Sequence, residues 1–166
     1  MKLSSFIKKY KKLVEENLRK NLPSGNLPLY KAMRYSVFSG GKRIRPLLMI
    51  ASYISTGGKN VKSVLDFASS IEMVHTYSLI HDDLPCMDND DYRRGKPTCH
   101  KKFSEAIAVL AGDALLTLGL KIAGRNKNVL KVLANAIGER GMIKGQILDI
   151  IYENYKEKGR KAKNLI

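Results

Sequence analysis

An acidic segment followed at once by arginines is the most unusual feature of this sequence: SLIHDDLPCMDNDDYRRG, residues 78–95. Five carboxylates lie within ten positions there, although the chain has only fifteen acidic residues and a formal net charge of +15. Clustered carboxylate oxygens suit a hard cation, and Mg²⁺ usually combines one or two protein carboxylates with waters and phosphate oxygens. Arginine binds phosphate oxygens through paired hydrogen bonds. The segment therefore predicts a site for Mg²⁺ and a phosphate-bearing small molecule.

The first two carboxylates come at the end of a predicted helix. His75, Ser78 and Asp82 recur at helical spacing, so the helix should carry a histidine and a carboxylate on one side. Negative charge at a helix C-terminus opposes the helix dipole, so Asp82 and Asp83 are better explained by a ligand than by helix stability. Asp88 returns from the following loop.

The acidic segment has two other possible interpretations. An EF-hand calcium loop is excluded, because the sixth position from Asp88 is Arg93 rather than glycine and the twelfth is Cys99 rather than glutamate. A solvated acidic loop without a ligand is the other alternative, but an apolar helix end leads directly into these carboxylates.

A second basic cluster, GGKRIRP at residues 40–46, lies far upstream. Glycines before a helix start leave backbone N–H groups and cations facing one anion. The segment is not a P-loop, since the glycine spacing and the Lys-Ser/Thr ending are absent. Alone, it could be a surface turn, and a lone histidine is usually a core residue. Together, Lys42, Arg45, His75 and Arg94 could hold a second phosphate opposite the metal-bound one.

The elements that must position these residues all have helical patterns. Apolar residues recur at helical spacing, and proline and glycine mark the breaks at 22–28 and 56–60. We expect an all-α bundle, with 61–84 and 103–124 as its central buried pair and 86–100 as a polar loop. Helices are predicted over 3–20, 28–39, 46–56, 61–84, 103–124, 127–137 and 139–152.

Composition limits the classes that remain. Hydrophobic content of 44% and charged content of 27% are typical of one globular domain. No apolar run is expected to reach membrane-spanning length, and the start does not have the pattern of a signal peptide. Cys86 and Cys99 are expected to stay reduced, which favours a cytoplasmic protein. The positive charge could attract nucleic acid or anionic lipid, or lie on solvated helix faces, but no zinc-finger or RNA-binding motif is present.

The two clusters together resemble a known family. SLIHDDLPCMDNDDYRRGKPTCHKKF with GGKRIRP is similar to the short-chain trans-polyprenyl diphosphate synthases, most of all to the bacterial farnesyl type. The resemblance continues through FSEAIAVLAGDALLTLG and GMIKGQILDI. It implies an isoprenoid-synthase-type all-α bundle around a central apolar cavity, usually a homodimer. It also implies condensation of isopentenyl diphosphate with dimethylallyl or geranyl diphosphate to a short-chain product such as farnesyl diphosphate, with Mg²⁺ as cofactor.

The resemblance also implies a role for individual residues. Catalytic work falls to the aspartate motif and the first arginine after it, substrate binding to the basic residues, and product length to two residues just before the motif. In this numbering the metal ligands are Asp82 and Asp88 with Asp83 in support, Arg93 contacts the allylic diphosphate, Lys42, Arg45, His75 and Arg94 bind isopentenyl diphosphate, and Tyr77 and Ser78 influence chain length. Gln146 and Asp149 match a GQxxD helix beside the cavity, and Gln146 is expected to bind substrate.

The sequence departs from the family in its C-terminal part. The second aspartate-rich motif of the family is absent, and in KGRKAKNLI only Lys163 matches a lysine–threonine segment. We therefore expect residues 1–166 to be the N-terminal part of a single polyprenyl synthase domain. Two interpretations remain open: a prenyltransferase, and a catalytically incomplete diphosphate-binding half or non-catalytic partner of a full-length synthase, completed by another chain.

Overall fold

The computed structural model describes residues 2–157. The chain divides into two compact units, Met1–Arg125 and Asn126–Ile166. The first unit contains helices α1 (Leu3–Asn21), α2 (Pro28–Phe38), α3 (Ile44–Ser55), a 3-10 turn (Val61–Val64), α4 (Leu65–Asp82), strands β1 (Tyr92–Arg93) and β2 (Lys96–Pro97), and helices α5 (Cys99–Lys102) and α6 (Glu105–Ala123). The second contains α7 (Lys127–Ile137) and α8 (Met142–Glu157).

The all-α prediction is confirmed, with one small addition. The predicted polar loop contains a hairpin in which Tyr92 pairs with Pro97 and Arg93 with Lys96. Arg94 and Gly95 form its two-residue turn, and both have positive φ, 54° and 74°. Two positive φ values are what the favoured type of two-residue hairpin turn requires, so the Arg-Gly pair explains the turn. The strands are too short to show alternation in the sequence.

The predicted central pair is also confirmed, because α4 packs more extensively on α6 than any other two elements of the described chain. Met73 of α4 and Leu115 of α6 are fully buried. The two backbones approach closely at Gly119, where a Cβ would lie 3.2 Å from the carbonyl oxygen of Ser70. The hydroxyl of Ser70 donates to the Gly119 carbonyl at 2.7 Å. This pairing makes α4, which carries His75 and Asp82, a rigid support for the site.

Helix α1 braces the start of α4. Its buried residues Tyr10, Val14 and Leu18 recur every fourth position and so form one apolar face. The Asn17 amide donates to Asp66 Oδ1 and to Ser69 Oγ, both at 2.9 Å. Nζ of Lys11, also on α1, donates to the carbonyl of Gly41 in the α2–α3 loop, so α1 contacts both α4 and this loop.

Helix α6 differs from expectation in one respect. Among the described residues it is the one helix long and apolar enough to cross a membrane by length and composition alone, with 19 residues. The expectation that no run reaches this length was therefore wrong for α6. Core helices of soluble proteins pass the same test, and α6 buries Leu115 and Ile122, so this property alone does not indicate a membrane span.

The second unit is a helix pair. Asn126 caps α7, because its side-chain oxygen accepts from the backbone N–H groups of Asn128 and Val129. None of the residues of α7 is buried, although the helix is strongly amphipathic through Leu130 and Leu133.

Candidate active site

The basic cluster begins in a tight loop between α2 and α3. Gly40 and Gly41 have φ values of 105° and 138°, and Arg43 is left-handed at 55°. Arg43 is only 3% exposed, whereas the neighbouring Lys42 and Arg45 are exposed. The loop therefore turns one basic side chain into the protein and leaves two facing outward.

These outward side chains line a pocket of about 190 Å³. The structure brings together there all four residues predicted to bind a second phosphate. The lining consists of Lys42, Arg43, Ile44, Arg45, Glu72, His75 and Arg94. Hereafter this is the basic pocket. Its single lining carboxylate, Glu72, is bound by Arg43 at 2.7 Å, so the other cations have no acidic partner within the lining.

His75 is held neutral in this setting. Burial lowers the pKa of its imidazole, and the positive charge of Arg45 lowers it further. Nη1 of Arg45 lies 3.2 Å from Nε2 of His75, and a guanidinium can only donate, so this nitrogen accepts. Burial and nearby Arg43 likewise lower the pKa of Arg94. Such crowding of cations stabilises a bound anion.

The hairpin joins the basic pocket to the acidic segment. The guanidinium of Arg94 donates to the carbonyl of Gly40. Tyr35 of α2 donates its hydroxyl to the carbonyl of Pro97 at 2.7 Å, which anchors the second strand. Arg93 and Arg94 are adjacent, so the hairpin presents one arginine towards each cluster.

Asp82 and Asp88 are close enough to affect each other. Burial raises the pKa of Asp82, and the charge of Asp88 raises it further. The backbone N–H of Asp88 donates to the carbonyl of Asp82 at 2.8 Å, which folds the loop back onto the helix end. Two neighbouring carboxylates without a tight protein partner fit Mg²⁺, which completes its shell with waters and phosphate oxygens.

Asp83 faces a different partner. Its carboxylate is 3% exposed and accepts from Nε of Arg93 at 2.6 Å. Burial raises the pKa of Asp83, and the bond from Arg93 opposes that rise. Arg93 also reaches Asp90 at 3.5 Å. Across the described residues no three His, Cys, Asp or Glu side chains converge as a metal site.

The residues predicted to influence chain length, Tyr77 and Ser78, lie about one turn before Asp82 on α4. Tyr77 is 8% exposed and packs edge-on against His81, with ring centroids 5.6 Å apart. The hydroxyl of Ser78 donates to the carbonyl of His75 at 2.9 Å. Gln146 and Asp149 lie on α8 of the second unit. Lys163 lies outside the described residues.

Sequence reasoning missed three residues that shape the basic pocket: Arg43, Glu15 and Glu72. Arg43 looked like one more cation in GGKRIRP, and Glu15 like a solvated residue of α1. A signal was available for Glu72, because it interrupts an apolar stretch of α4, and a buried glutamate requires a charged partner.

The chain is similar in sequence to a known family and to several of its members. The profile of the family described as Polyprenyl synthetase matches residues 27–164. The chain is 46% identical to the farnesyl diphosphate synthase of Bacillus subtilis over 92% of this chain and 55% of the relative. It is 44% identical to the geranylgeranyl diphosphate synthase of Cyanophora paradoxa over 99% of this chain and 58% of the relative.

A solved structure agrees with these sequence relatives. The apo FPP/GFPP synthase of Zymomonas mobilis superposes with a TM-score of 0.83 at 38% identity, over 91% of this chain and 58% of that one. The chain thus spans about half the length of the curated relatives it matches.

Proposed function

Because this chain belongs to the polyprenyl synthetase family, we propose that it acts in a Mg²⁺-dependent prenyltransferase. The reaction would join isopentenyl diphosphate to dimethylallyl or geranyl diphosphate and yield a short-chain product, farnesyl diphosphate. One observation supports this most: Lys42, Arg45, His75 and Arg94 converge on one pocket, and the hairpin connects it to the acidic segment.

The basic pocket would bind isopentenyl diphosphate. Lys42 and Arg45 are exposed in the loop, and Arg94 reaches the same pocket from the hairpin. His75 is neutral, so its Nε2 accepts from Arg45 and orients that guanidinium without adding charge. Charge-assisted hydrogen bonds from these donors would position the diphosphate and leave the apolar tail free to approach the other substrate.

The acidic segment would bind the allylic diphosphate. Asp82 and Asp88 would hold Mg²⁺, which when bound stabilises negative charge developing on a leaving diphosphate. Arg93 would contact the same diphosphate, and Asp83 orients the Arg93 guanidinium from the protein side.

Two residues of α4 would set the length of the product. Tyr77 would limit the growing chain, with Ser78 beside it, since both precede Asp82 by about one helical turn. Relatives carry both farnesyl and geranylgeranyl names, so farnesyl diphosphate is the specific proposal and geranylgeranyl diphosphate its alternative. Gln146, on α8 of the second unit, stays a substrate-binding prediction.

Prenyl transfer by this 166-residue chain tests the proposal. Isopentenyl diphosphate would be incubated with dimethylallyl or geranyl diphosphate, with and without Mg²⁺, and the products identified by mass. A Mg²⁺-dependent farnesyl product is expected. The doubly substituted variant Asp82→Ala/Asp88→Ala is the control, and undiminished turnover by it would contradict the assigned metal ligands.

A second candidate is a diphosphate-binding half or a non-catalytic partner subunit of a full-length synthase. The observation in its favour is that one relative, 49% identical over 76% of this chain, is named the large subunit of a heterodimeric geranylgeranyl pyrophosphate synthase of Arabidopsis thaliana. Titration calorimetry with inorganic pyrophosphate separates the two: binding without any prenyl product supports this candidate, and absence of binding refutes both. A cytoplasmic homodimer, or a pair with a complementing chain, is part of the proposal, and sedimentation velocity would measure the assembly.

A further inference from the structure

Arg43 is the most completely bound cation of the first unit, yet it lies beside the predicted ligand site. Its side chain is 1% exposed. Nε donates to Glu15 at 2.7 Å, Nη1 to Glu72 at 2.7 Å, and Nη2 to the carbonyl of Val37 at 2.6 Å. These three acceptors belong to α1, α4 and α2. The guanidinium therefore joins three helices at one point, and every nitrogen has a protein acceptor.

We propose that Arg43 is a positioning residue: it holds the 39–45 loop so that Lys42 and Arg45 face the basic pocket. The inference rests on the proposed function, because it concerns the same diphosphate site. Arg43 sits between those two residues with a left-handed backbone, φ 55° and ψ 36°. A non-glycine residue in that region has a strained backbone, and the buried contacts of the side chain offset this strain. Without them the backbone would relax and turn both neighbours.

Two further contacts hold the glycines of the loop through their backbone carbonyls. Nζ of Lys11 donates to the Gly41 carbonyl at 2.8 Å, and Arg94 donates to the carbonyl of Gly40. These contacts fix where the glycines lie but not which way the Lys42 side chain points. Nε2 of His75 contacts the guanidinium of Arg45, and Arg43 fixes the backbone from which both side chains extend.

Arg43 also controls the charge that the pocket presents. Glu72 lines the pocket with its side chain 3% exposed, and Arg43 is its ion-pair partner. An unpaired buried carboxylate at this position would repel a bound diphosphate. Loss of Arg43 thus has two effects, a displaced loop and an exposed negative charge, and a double substitution separates them.

Binding of inorganic pyrophosphate would be measured by titration calorimetry on the whole chain and its variants. Arg43→Gln removes the anchor and frees Glu72. Arg43→Lys keeps the charge but cannot contact three acceptors in a fixed fork. Arg43→Gln/Glu72→Gln removes the free carboxylate as well. Asn17→Ala is the matched control, because it breaks another α1–α4 link that is not in the pocket.

We expect affinity to fall about tenfold to a hundredfold in Arg43→Gln and to stay low in Arg43→Lys and in the double variant, since small displacements of positioned groups cost this much. Asn17→Ala should bind as the unchanged chain does. Full recovery in the double variant would overturn the positioning role, and so would unchanged binding by Arg43→Lys. Arg43→Lys decides the question if the glutamine variants do not fold.

Hydrogen exchange gives a readout that needs no ligand. The amides of 39–45 should exchange faster in Arg43→Lys than in the unchanged chain, while those of α6 should not change. Unchanged exchange in the loop would overturn the proposal. If the unchanged chain fails to bind pyrophosphate, the proposed function fails, and the exchange result still decides whether Arg43 holds the loop.

Discussion

Replacement of Arg45 by glutamine tests the basic pocket most directly. Arg45 is exposed, and its described side-chain partner is Nε2 of His75 at 3.2 Å. A hydrogen bond to a charged group contributes about 1.5–3 kcal/mol. Arg45→Gln should therefore weaken binding of inorganic pyrophosphate about tenfold to 150-fold. The free energy of unfolding should change by no more than about 0.5 kcal/mol, because Arg45 is not part of the core.

The same substitution, Arg45→Gln, should also raise the pKa of His75. The charge of Arg45 contributes to the lowered pKa of His75, after burial. Removal of that charge should raise the pKa of His75 towards its ordinary value, although burial still holds it down. An NMR titration of the His75 ring in Arg45→Gln would measure the shift. His81 and His100 provide internal references, since Arg45 is not among their described contacts.

The calorimetric assay should be run at fixed ionic strength, because salt screens exposed charges. Arg140→Gln is the matched control: it removes the same charge from a side chain that is 91% exposed and lies on the second unit. If Arg140→Gln weakens binding as much as Arg45→Gln does, the effect is one of net charge and the reasoning about the pocket is refuted. Unchanged affinity in Arg45→Gln would refute it as well.

Three further substitutions test the core and the acidic segment, each by urea unfolding. Asp82→Asn should raise the free energy of unfolding at pH 7, because a carboxyl whose pKa is raised in the folded state destabilises the fold once it ionises. The gain should vanish below about pH 4, where the carboxyl is protonated in both the folded and the unfolded state. A gain that persists there would show that the raised pKa of Asp82 is not its cause. Leu115→Ala should lower the free energy of unfolding by about 2–5 kcal/mol, because Leu115 is buried. Leu110→Ala, on the same helix but 59% exposed, should lower it by about 0.5 kcal/mol or less. Equal losses would be inconsistent with burial of Leu115 in the α4–α6 interface. Gly119→Ala should lower the free energy of unfolding, since the added Cβ would lie too close to α4. Gly145→Ala has open space around it and should stabilise α8 by up to about 1 kcal/mol. The reverse order of stabilities would refute the close approach of α4 and α6.

Much of the fold could be predicted because helical signals are local. The apolar face of α1, with Val14 and Leu18, recurs every four residues, and Pro28 marks the start of α2. The predicted helix boundaries were less accurate where the sequence pattern did not favour one kind of element. The helix expected from residue 61 begins at Leu65, after a 3-10 turn, and the hairpin at Arg93 was missed because strands of two residues have no period to detect.

The site was predicted in part for a similar reason. The cations of GGKRIRP, the helical spacing of His75 from Asp82 and the arginines after the carboxylates were enough to group Lys42, Arg45, His75 and Arg94, and the structure places all four around one pocket. The motif predicted Asp82 and Asp88 as metal ligands with Asp83 in support, and that role stays a prediction. What the sequence did not show is that the buried carboxylate of Asp83 accepts from Arg93.

The sequence by itself determined the all-helical architecture, the two clusters of opposite charge and the family resemblance, since each depends on residues that are near one another in the chain. Only the tertiary structure decided which of the three neighbouring cations is buried and bound by the protein, Arg43, and which two stay exposed at the basic pocket, Lys42 and Arg45. The physical reason is distance along the chain. Arg43 is buried because acceptors at positions 15, 37 and 72 meet around it, and no local pattern in GGKRIRP carries that information.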